Sequence, residues 1–221
     1  MCSYHVTCKY CYPVQHGIQL RKQQAHQREQ EKKVSGQELH FDFTKDATRK
    51  AFFGQVVQQL DNAAKAKVAQ AVDDTSIPES AHLHNLDDVC RAIDGSVVSD
   101  YAKEQAKGVY RILAEAEAQV HGCSVEDTHF HEVGLGMTCR EILGICVALE
   151  QLSPACITAT PVQTGSGTVE CAHGVLDIPA PATAAILEKH AIPQVEEKLD
   201  GELCTPTSAA LIAHYVEGFD R

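Results

Sequence analysis

Two histidines that flank one phenylalanine are the residues of this chain with the clearest capacity for chemistry, in the run His129-Phe130-His131-Glu132-Val133-Gly134. If the backbone is extended here, the side chains of His129 and His131 point to the same face, roughly 7 Å apart along the strand. One metal ion could then bind both imidazoles. The same pair in a helix would diverge, so the spacing favours a strand or the loop that leaves it. The alternative is a pair of histidines that line a polar cleft without a metal.

Two other segments contain side chains that bind metals. His82 and His84 form a second His-x-His pair, and Cys171 lies two residues before His173. Imidazole, thiolate and carboxylate groups together suit borderline divalent ions such as nickel or zinc. Because no single segment supplies enough ligands, a metal site requires that the fold bring these segments together. Otherwise His82 and His84 belong to a solvated linker, and Cys171 belongs to the core.

A cysteine-bearing segment opens the chain, with Cys8 and Cys11 separated by two residues and Cys2 nearby. Two thiols at this spacing can form one edge of a zinc site, but a closed site needs two more ligands. No second Cys-x-x-Cys follows. The alternatives for this segment are a zinc site and a loosely ordered arm.

Two sequence features suit a phosphate group. Gly165-Ser166-Gly167 is typical of a tight loop whose main-chain N–H groups can approach an anion, and Thr205-Pro206-Thr207 begins a helix whose positive end attracts one. Each feature also has a simpler interpretation. The glycine loop is then a turn between strands, and the proline is the first residue of an ordinary helix.

The acidic composition limits the classes of partner. The chain has 221 residues, of which 44% are hydrophobic, and a formal net charge of -11. A broad basic surface for nucleic acid or an anionic membrane is therefore not expected. No apolar run is long enough to span a bilayer and the N-terminus lacks the apolar core of a secretory signal, which predicts a cytoplasmic protein. The ten cysteines are scattered, so we expect small buried hydrophobic residues rather than disulfides.

Hydrophobic periodicity predicts mostly helices in the first half of the chain. The predicted elements are a strand over 38–43, a long helix capped by Thr44 that continues to Val72, a helix capped by Asn85 that ends at Gly95, and a helix from Ser99 to His121. Proline and serine interrupt the pattern just before residue 80. This break predicts a divergent N-terminal segment over 1–79 and an α/β domain over 80–221, or else one continuous domain.

Strand and helix patterns alternate in the second half. The predicted elements are a helix from Thr138, with a capping box to Glu141, a strand over 157–162, a hairpin over 168–178, a helix over 181–190, a strand over 194–199 and a helix over 206–216. The fold class that follows is mixed α/β (α+β), with a helix-rich first half and a mixed sheet with packed helices in the second half.

Four more short blocks follow the opening motif in order: Gly165-Ser166-Gly167-Thr168-Val169, Ala172-His173-Gly174, Ile178-Pro179-Ala180-Pro181-Ala182-Thr183 and Glu202-Leu203-Cys204-Thr205-Pro206-Thr207. Together with the opening motif and the preceding helix over 111–122, these blocks resemble the nickel insertion protein (LarC) family in order and spacing. The resemblance extends from about His82 to Phe219.

The resemblance implies a role in making the nickel-pincer nucleotide cofactor. Members of that family insert nickel into a pyridinium bis-thiocarboxylic acid mononucleotide, forming carbon–nickel and sulfur–nickel bonds with consumption of CTP and with Mg or Mn. By similarity, the candidate residues are His129, His131 and Glu132 for catalysis, His82, His84, His129 and His131 for nickel, and Gly165, Ser166, Gly167, His173, Thr205 and Thr207 for the nucleotide.

The chain also departs from the family pattern. It lacks the glycine-rich Phe-Ser-Gly-x-Ser-Gly-Asp motif near its start, and Met137 and Glu141 stand where the family has two aspartates. Asp177 and Ser208 replace a proline and a glycine. Two interpretations follow. The chain is the N-terminal half or a truncated form of the CTP-dependent chelatase, a lyase-class enzyme that works with a C-terminal half or as a homo-oligomer. Alternatively, it is a degenerate, non-catalytic relative that binds metal or a protein partner.

Overall fold

A computed structural model describes residues 36–171 and 174–220, except for the side chain of Glu132. The α-helices in these residues are α1 (Arg49–Gln58), α2 (Asn62–Val72), α3 (Leu86–Gly95), α4 (Asp100–His121), α5 (Gly136–Leu152), α6 (Pro181–Lys189) and α7 (Pro206–Tyr215). The strands are β1 (Glu38–Phe41), β2 (Cys156–Ala159), β3 (Gly165–Ser166), β4 (Thr168–Cys171), β5 (Gly174–Asp177), β6 (Gly201–Glu202) and β7 (Gly218–Phe219). The predicted mixed α/β class is confirmed.

Strands β1, β2 and β7 form a parallel sheet in that order. Leu39 of β1 lies opposite Ile157 of β2, and Phe41 lies opposite Ala159. Residues alternate along β1, so that Leu39 and Phe41 are buried while their neighbours are exposed. This alternation confirms the strand that the sequence predicted.

An aromatic cluster joins this sheet to α1. The ring of Phe52 meets the rings of Phe41 and Phe43 edge to face, with centroids 5.0 and 5.5 Å apart. All three side chains are fully buried. Such pairs add specific contacts to the hydrophobic effect, so the cluster fixes the start of α1 relative to the carboxyl end of β1.

The single long helix predicted from Thr44 to Val72 is wrong. Helix α1 begins after Thr48 and ends at Gln58, and α2 begins after Asp61, whose side chain accepts a 2.8 Å hydrogen bond from the N–H of Ala64. A side chain that satisfies a first-turn N–H favours a new helix start over continuation of the old one. Thr44 instead donates its hydroxyl to Asp42, 2.6 Å away.

The caps of the next helices agree with the sequence. Asn85 and Ser99 cap α3 and α4, and Gly122 ends α4 in the left-handed conformation with φ of 66°. Thr205 and Ser208 form a capping box at the start of α7, where Pro206 is the first helical residue. Ser208 stands where the family pattern has a glycine, and in this chain it stabilises the start of α7 through the capping box.

Three predictions for the second half need correction. Helix α5 begins at Gly136 with Leu135 as its N-cap, so Thr138 lies inside the helix and does not open a capping box. No strand forms over 194–199, because pairing with β3 is made instead by β6 at Gly201–Glu202. Gly165-Ser166 forms strand β3 and is not a free tight loop.

Strands β4 and β5 form the predicted antiparallel hairpin, with Val169 opposite Leu176. Its turn contains Ala172 and His173, which lie outside the described residues, as do Cys2, Cys8, Cys11 and the zinc site predicted there. None of the helices in the described ranges is long and apolar enough to cross a membrane. From Gln37 onward the chain forms one compact unit.

We predict that Gly165→Ala destabilises the protein by at least about 2 kcal/mol. Gly165 has φ of 83°, and a Cβ at this position would overlap the carbonyl oxygen of Gly201 on the paired strand. The control is Gly54→Ala in α1, where a Cβ meets nothing within 4 Å and helix propensity predicts a gain of about 0.5–1 kcal/mol. Urea unfolding of both variants measures the two changes, and equal stabilities would contradict the prediction.

Candidate functional site

Main-chain hydrogen bonds bring two of the histidine segments together. The N–H of Phe130 donates to the carbonyl of His84 at 2.7 Å, and the N–H of Leu83 donates to the carbonyl of Gly134 at 2.8 Å. A third bond, 2.9 Å long, joins the N–H of Gly136 to the carbonyl of Ala81. The convergence that a metal site would require is thus present for the His82–His84 and His129–Gly134 segments.

Gly134 is required by this pairing. A Cβ at residue 134 would overlap the carbonyl oxygen of Leu83, and one at Gly136 would overlap the carbonyl oxygen of Pro78. The last residue of the opening motif is therefore a glycine because another stretch of backbone lies against it. Sequence spacing gives no indication of which stretch that is.

The motif itself is an extended loop followed by a 3-10 turn over Glu132–Gly134, not a strand. Of the two predicted alternatives, a strand or a loop, the structure has the loop, and the alternation of side chains that the prediction assumed is present. Phe130 is 2% exposed, whereas His129 and His131 are both exposed. The main-chain partners of this loop are single residues of another loop, so no regular ladder forms.

Tyr110 of α4 contacts the buried side of the motif. Its ring packs against Phe130 with centroids 5.8 Å apart, and its hydroxyl donates a 2.9 Å hydrogen bond to the carbonyl of Val133. Burial raises the pKa of Tyr110 well above its ordinary value. The phenol therefore remains a protonated donor, and the motif keeps this bond at any physiological pH.

A cavity of about 910 Å³ opens beside the motif. Its lining includes residues of four of the five sequence blocks and of the preceding helix: Glu117, Val120 and His121 of α4, His131 and Val133 of the motif, Val169 and Cys171 of β4, Ala180, Pro181 and Ala182 at the start of α6, and Glu202, Thr205, Pro206 and Thr207 around the start of α7. Thr48, Arg49 and Lys50 at the start of α1, with Thr138 and Glu141 of α5, line it as well.

The candidate histidines do not all reach this cavity. His131 lines it, whereas His129 does not, and His129 Nδ1 donates to the carbonyl of Asp127 at 3.0 Å. The rings of His82 and His84 stack on each other at the surface with centroids 5.9 Å apart, outside the lining. The prediction that one ion binds His129 and His131 together has no support in this arrangement.

The candidate nucleotide residues divide in the same way. Thr205 and Thr207 line the cavity, but Gly165, Ser166 and Gly167 do not. The N–H of Gly165 donates to Gln163 Oε1 at 3.0 Å, and Ser166 Oγ donates to the carbonyl of Leu199 at 2.9 Å. Phosphate contact by this glycine segment stays a prediction.

The cysteines in the described residues form no disulfide bond. Cys139, Cys146 and Cys204 are buried, and burial raises the pKa of each thiol to about 12. These three are therefore inert thiols that pack in the core. Cys171 differs because it is half-buried and lines the cavity.

A family model described as nickel insertion protein matches residues 16–221. The chain belongs to the nickel insertion protein family. It is 40% identical over 143 residues to a Staphylococcus epidermidis protein named pyridinium-3,5-bisthiocarboxylic acid mononucleotide nickel insertion protein, a match that covers 65% of this chain and 36% of that relative.

Proteins of the same name from two other bacteria are similar to the chain. The Staphylococcus saprophyticus protein is 43% identical over 135 residues, covering 61% of this chain and 34% of the relative. The Clostridium kluyveri protein is 41% identical over 173 residues, covering 73% of this chain and 43% of the relative. The chain thus spans well under half of the length of these relatives. No solved structure matches it significantly.

The two departures from the nickel insertion family pattern in α5 have different positions. Met137 is 49% exposed and lies outside the cavity lining. Glu141 lines the cavity and forms an ion pair with Arg49 of α1. The loss of a carboxylate at residue 137 therefore leaves the described cavity wall unchanged, while the longer carboxylate at residue 141 contributes directly to it.

Sequence reasoning missed several charged or titratable residues of this lining. The sequence indicated His121 only as the end of a helix, yet its Nε2 lies 3.5 Å from Glu117 Oε2 one turn earlier, and both line the cavity. Arg49 and Lys50 occupy the first turn of α1, where the helix dipole disfavours a cation by about 0.3–1 kcal/mol each. Two cations in a first helical turn could have indicated a functional role. The sequence-based prediction started this helix at Thr44, so it did not place Arg49 and Lys50 in the first turn.

Within the described residues, no group of three or more histidine, cysteine, aspartate or glutamate side chains is arranged to hold a metal ion. The Glu132 side chain and His173 are not among them. The chemistry of the lining, with imidazole, thiol and carboxylate groups in one cavity, nevertheless suits the transient handling of a borderline divalent ion.

We predict that Tyr110→Phe destabilises the protein by about 1–3 kcal/mol, because the buried carbonyl of Val133 loses its donor. The change leaves the ring contact with Phe130 in place. Tyr101→Phe, which removes a hydroxyl from a tyrosine of the same helix that is 45% exposed, provides the control. Thermal or urea unfolding gives both values, and similar losses in the two variants would show that the bond to Val133 does not matter.

Proposed function

We propose that this chain takes part in the insertion of nickel into pyridinium-3,5-bisthiocarboxylic acid mononucleotide, and that the cavity beside the motif receives this nucleotide. One observation supports the proposal above all. Residues from α4, the motif, β4, α6 and the start of α7, which are far apart in the sequence, all line one cavity of about 910 Å³. This volume lies in the range of small-molecule sites.

The side chains of the lining fit the chemistry that such a reaction needs. Nickel is a substrate here, and imidazole, thiolate and carboxylate groups can hand it to the sulfur atoms of the nucleotide. Forming a carbon–nickel bond at a ring carbon releases the proton that the carbon carried. His131 lines the cavity, and its imidazole is our candidate acceptor for this proton.

The remaining candidates take supporting roles in the proposal. His82 and His84 lie at the surface on the strip of backbone that pairs with the motif, where they can collect nickel before it enters the cavity. His129 and Glu132 extend the same motif, and His173 lies in the turn of the β4–β5 hairpin. Thr205 and Thr207 contact the nucleotide.

The rest of the reaction is assigned to parts outside this chain. We propose that CTP, with Mg or Mn, is consumed by a C-terminal half like that of the longer relatives, or in a homo-oligomer, and that the assembly is a cytoplasmic nickel chelatase of the lyase class. The alternative is a non-catalytic relative that binds metal or a protein partner. The exposed Met137, where the family pattern has an aspartate, favours that alternative.

We predict that His131→Ala weakens nickel binding about 10-fold or more, in line with the loss expected when a metal site loses an imidazole. His82→Ala combined with His84→Ala should reduce the affinity by a similar factor. His40→Ala serves as the control, because His40 is an exposed histidine on β1, beside Asp220 and outside the cavity lining. Isothermal titration with nickel gives the affinities, and unchanged binding in the His131 variant would remove that residue from the site.

A turnover assay distinguishes a nickel-inserting enzyme from a non-catalytic metal-binding relative. The chain, the precursor nucleotide, nickel and CTP are mixed with and without the C-terminal portion of a relative, and the nickel adduct is followed by mass spectrometry. An adduct that requires the second portion supports the proposed function. No adduct under either condition, with nickel binding intact, would identify a non-catalytic metal-binding protein.

A further inference from the structure

The cavity has a cationic side that the proposed function does not yet use. Arg49 and Lys50, the first two residues of α1, both line it. The first turn of α1 contains no acidic residue. Two cations at a helix start oppose the dipole of their own helix, so local helix stability does not explain their presence.

The start of α7 lies close to the start of α1. The N–H of Ala47, one residue before the cap of α1, donates a 2.8 Å hydrogen bond to the carbonyl of Leu203, two residues before the cap of α7. The capping threonines of the two helices, Thr48 and Thr205, both line the cavity. Two positive helix ends therefore face one volume.

Donors at these helix starts are left without acceptors. Among the described residues, the main-chain N–H groups of Arg49, Lys50 and Thr207 have no hydrogen-bond partner. The side chain of Thr207 is the clearest case, because it is 4% exposed, lines the cavity, and its hydroxyl makes no hydrogen bond to any described residue. A nearly buried hydroxyl that faces a cavity unpaired indicates a ligand atom that completes it.

Glu141 of α5 lies beside Arg49 at this side of the cavity. Its carboxylate pairs with the guanidinium of Arg49, and the two side chains are 32% and 28% exposed. Glu141 Oε2 is buried but accepts no hydrogen bond of normal geometry from the described residues. A ligand anion that brings two or three well-placed oxygens can therefore displace this carboxylate from Arg49.

The other acidic residues of the lining belong to different elements. Glu117 is paired with His121 on α4, Glu170 lies on β4, and Glu202 lies on β6. Carboxylates suit the cationic partners of the proposed reaction, nickel and the pyridinium ring. Arginine, lysine and unpaired N–H groups suit an anion, and the phosphate is the anionic group of this mononucleotide that does not bind nickel in the proposed reaction.

We propose that Arg49, Lys50 and Thr207, at the facing starts of α1 and α7, form the subsite for the phosphate of a pyridinium mononucleotide, and that Glu141 competes with this phosphate for Arg49. The inference rests on the proposed function, because it takes the nucleotide to be the ligand of this cavity. It extends the proposed function by adding Arg49 and Lys50, which the sequence did not indicate, to Thr207 as the residues that bind the phosphate.

The test uses nicotinic acid mononucleotide as the probe and nicotinic acid riboside, which lacks the phosphate, as its matched partner. Isothermal titration of the chain should show at least about 10-fold tighter binding of the mononucleotide. Arg49→Gln should weaken mononucleotide binding by about 10-fold or more and leave riboside binding unchanged. Thr207→Val, which removes only the hydroxyl, should weaken it by roughly 3–10-fold.

Glu141→Gln provides an independent test, since it removes the competitor and should tighten mononucleotide binding by a few fold. Lys45→Gln is the charge control, because Lys45 is exposed and lies outside the cavity lining. Thr183→Val is the hydroxyl control, because the Thr183 hydroxyl is buried and unpaired in the described residues but does not line the cavity. Both controls should bind the mononucleotide like the wild type.

Several outcomes would overturn the subsite. These are equal affinity for mononucleotide and riboside, no mononucleotide binding by the wild type, unchanged binding in Arg49→Gln, or weaker binding in Glu141→Gln. Nickel titration of the same variants keeps the two proposals apart. Retained nickel binding together with equal affinity for the two ligands, or with either contrary result in the Arg49 and Glu141 variants, removes the phosphate subsite and leaves the proposed function in place. A wild-type chain that binds neither ligand counts against the nucleotide part of the proposed function as well.

Discussion

The site depends on one stretch of backbone pairing, between residues 81–84 and residues 130–136. Its bonds use main-chain groups only, and Gly134 and Gly136 allow the approach because a Cβ on either would overlap a carbonyl oxygen of the facing stretch. The pairing fixes the motif from one side, and the hydroxyl of Tyr110 fixes it from the other through Val133. His131 is held at the cavity wall by a frame to which its own side chain need not contribute.

A frame made of main-chain bonds tolerates change in the side chains around it. Met137 replaces a carboxylate without disturbing α5, because the helix start is set by the N–H of Gly136 and the carbonyl of Ala81. Ser208 replaces a glycine and completes the capping box of α7, with its Oγ accepting from the N–H of Thr205 at 2.8 Å. The helix starts beside the cavity are therefore intact although several residues around them depart from the family pattern.

The sequence predicted most of the elements that carry local signals. The caps at Asn85, Ser99 and Thr205 were correct because each side chain bonds to an N–H two or three residues away. The sequence did not predict the split of the long helix at Asp61, because the apolar stripe continues across that position. It did not predict the pairing of β3 with β6 either, because that pairing depends on backbone far away in the sequence. Of the residues that the blocks indicated, His131, Thr205 and Thr207 line one cavity, whereas Arg49 and His121 join that lining only through the fold.

The mixture of charges in the cavity follows from the balance that its proposed ligands impose. A cavity with only cationic side chains would bind a phosphate well but would repel nickel, and a purely acidic one would do the reverse. The ion pair of Arg49 with Glu141 gives both charges at short range, and the imidazole of His121 lies 3.5 Å from the carboxylate of Glu117. In the proposed function a phosphate replaces Glu141 beside Arg49, so this contact selects an anion in a chain whose formal net charge of -11 would otherwise favour cations.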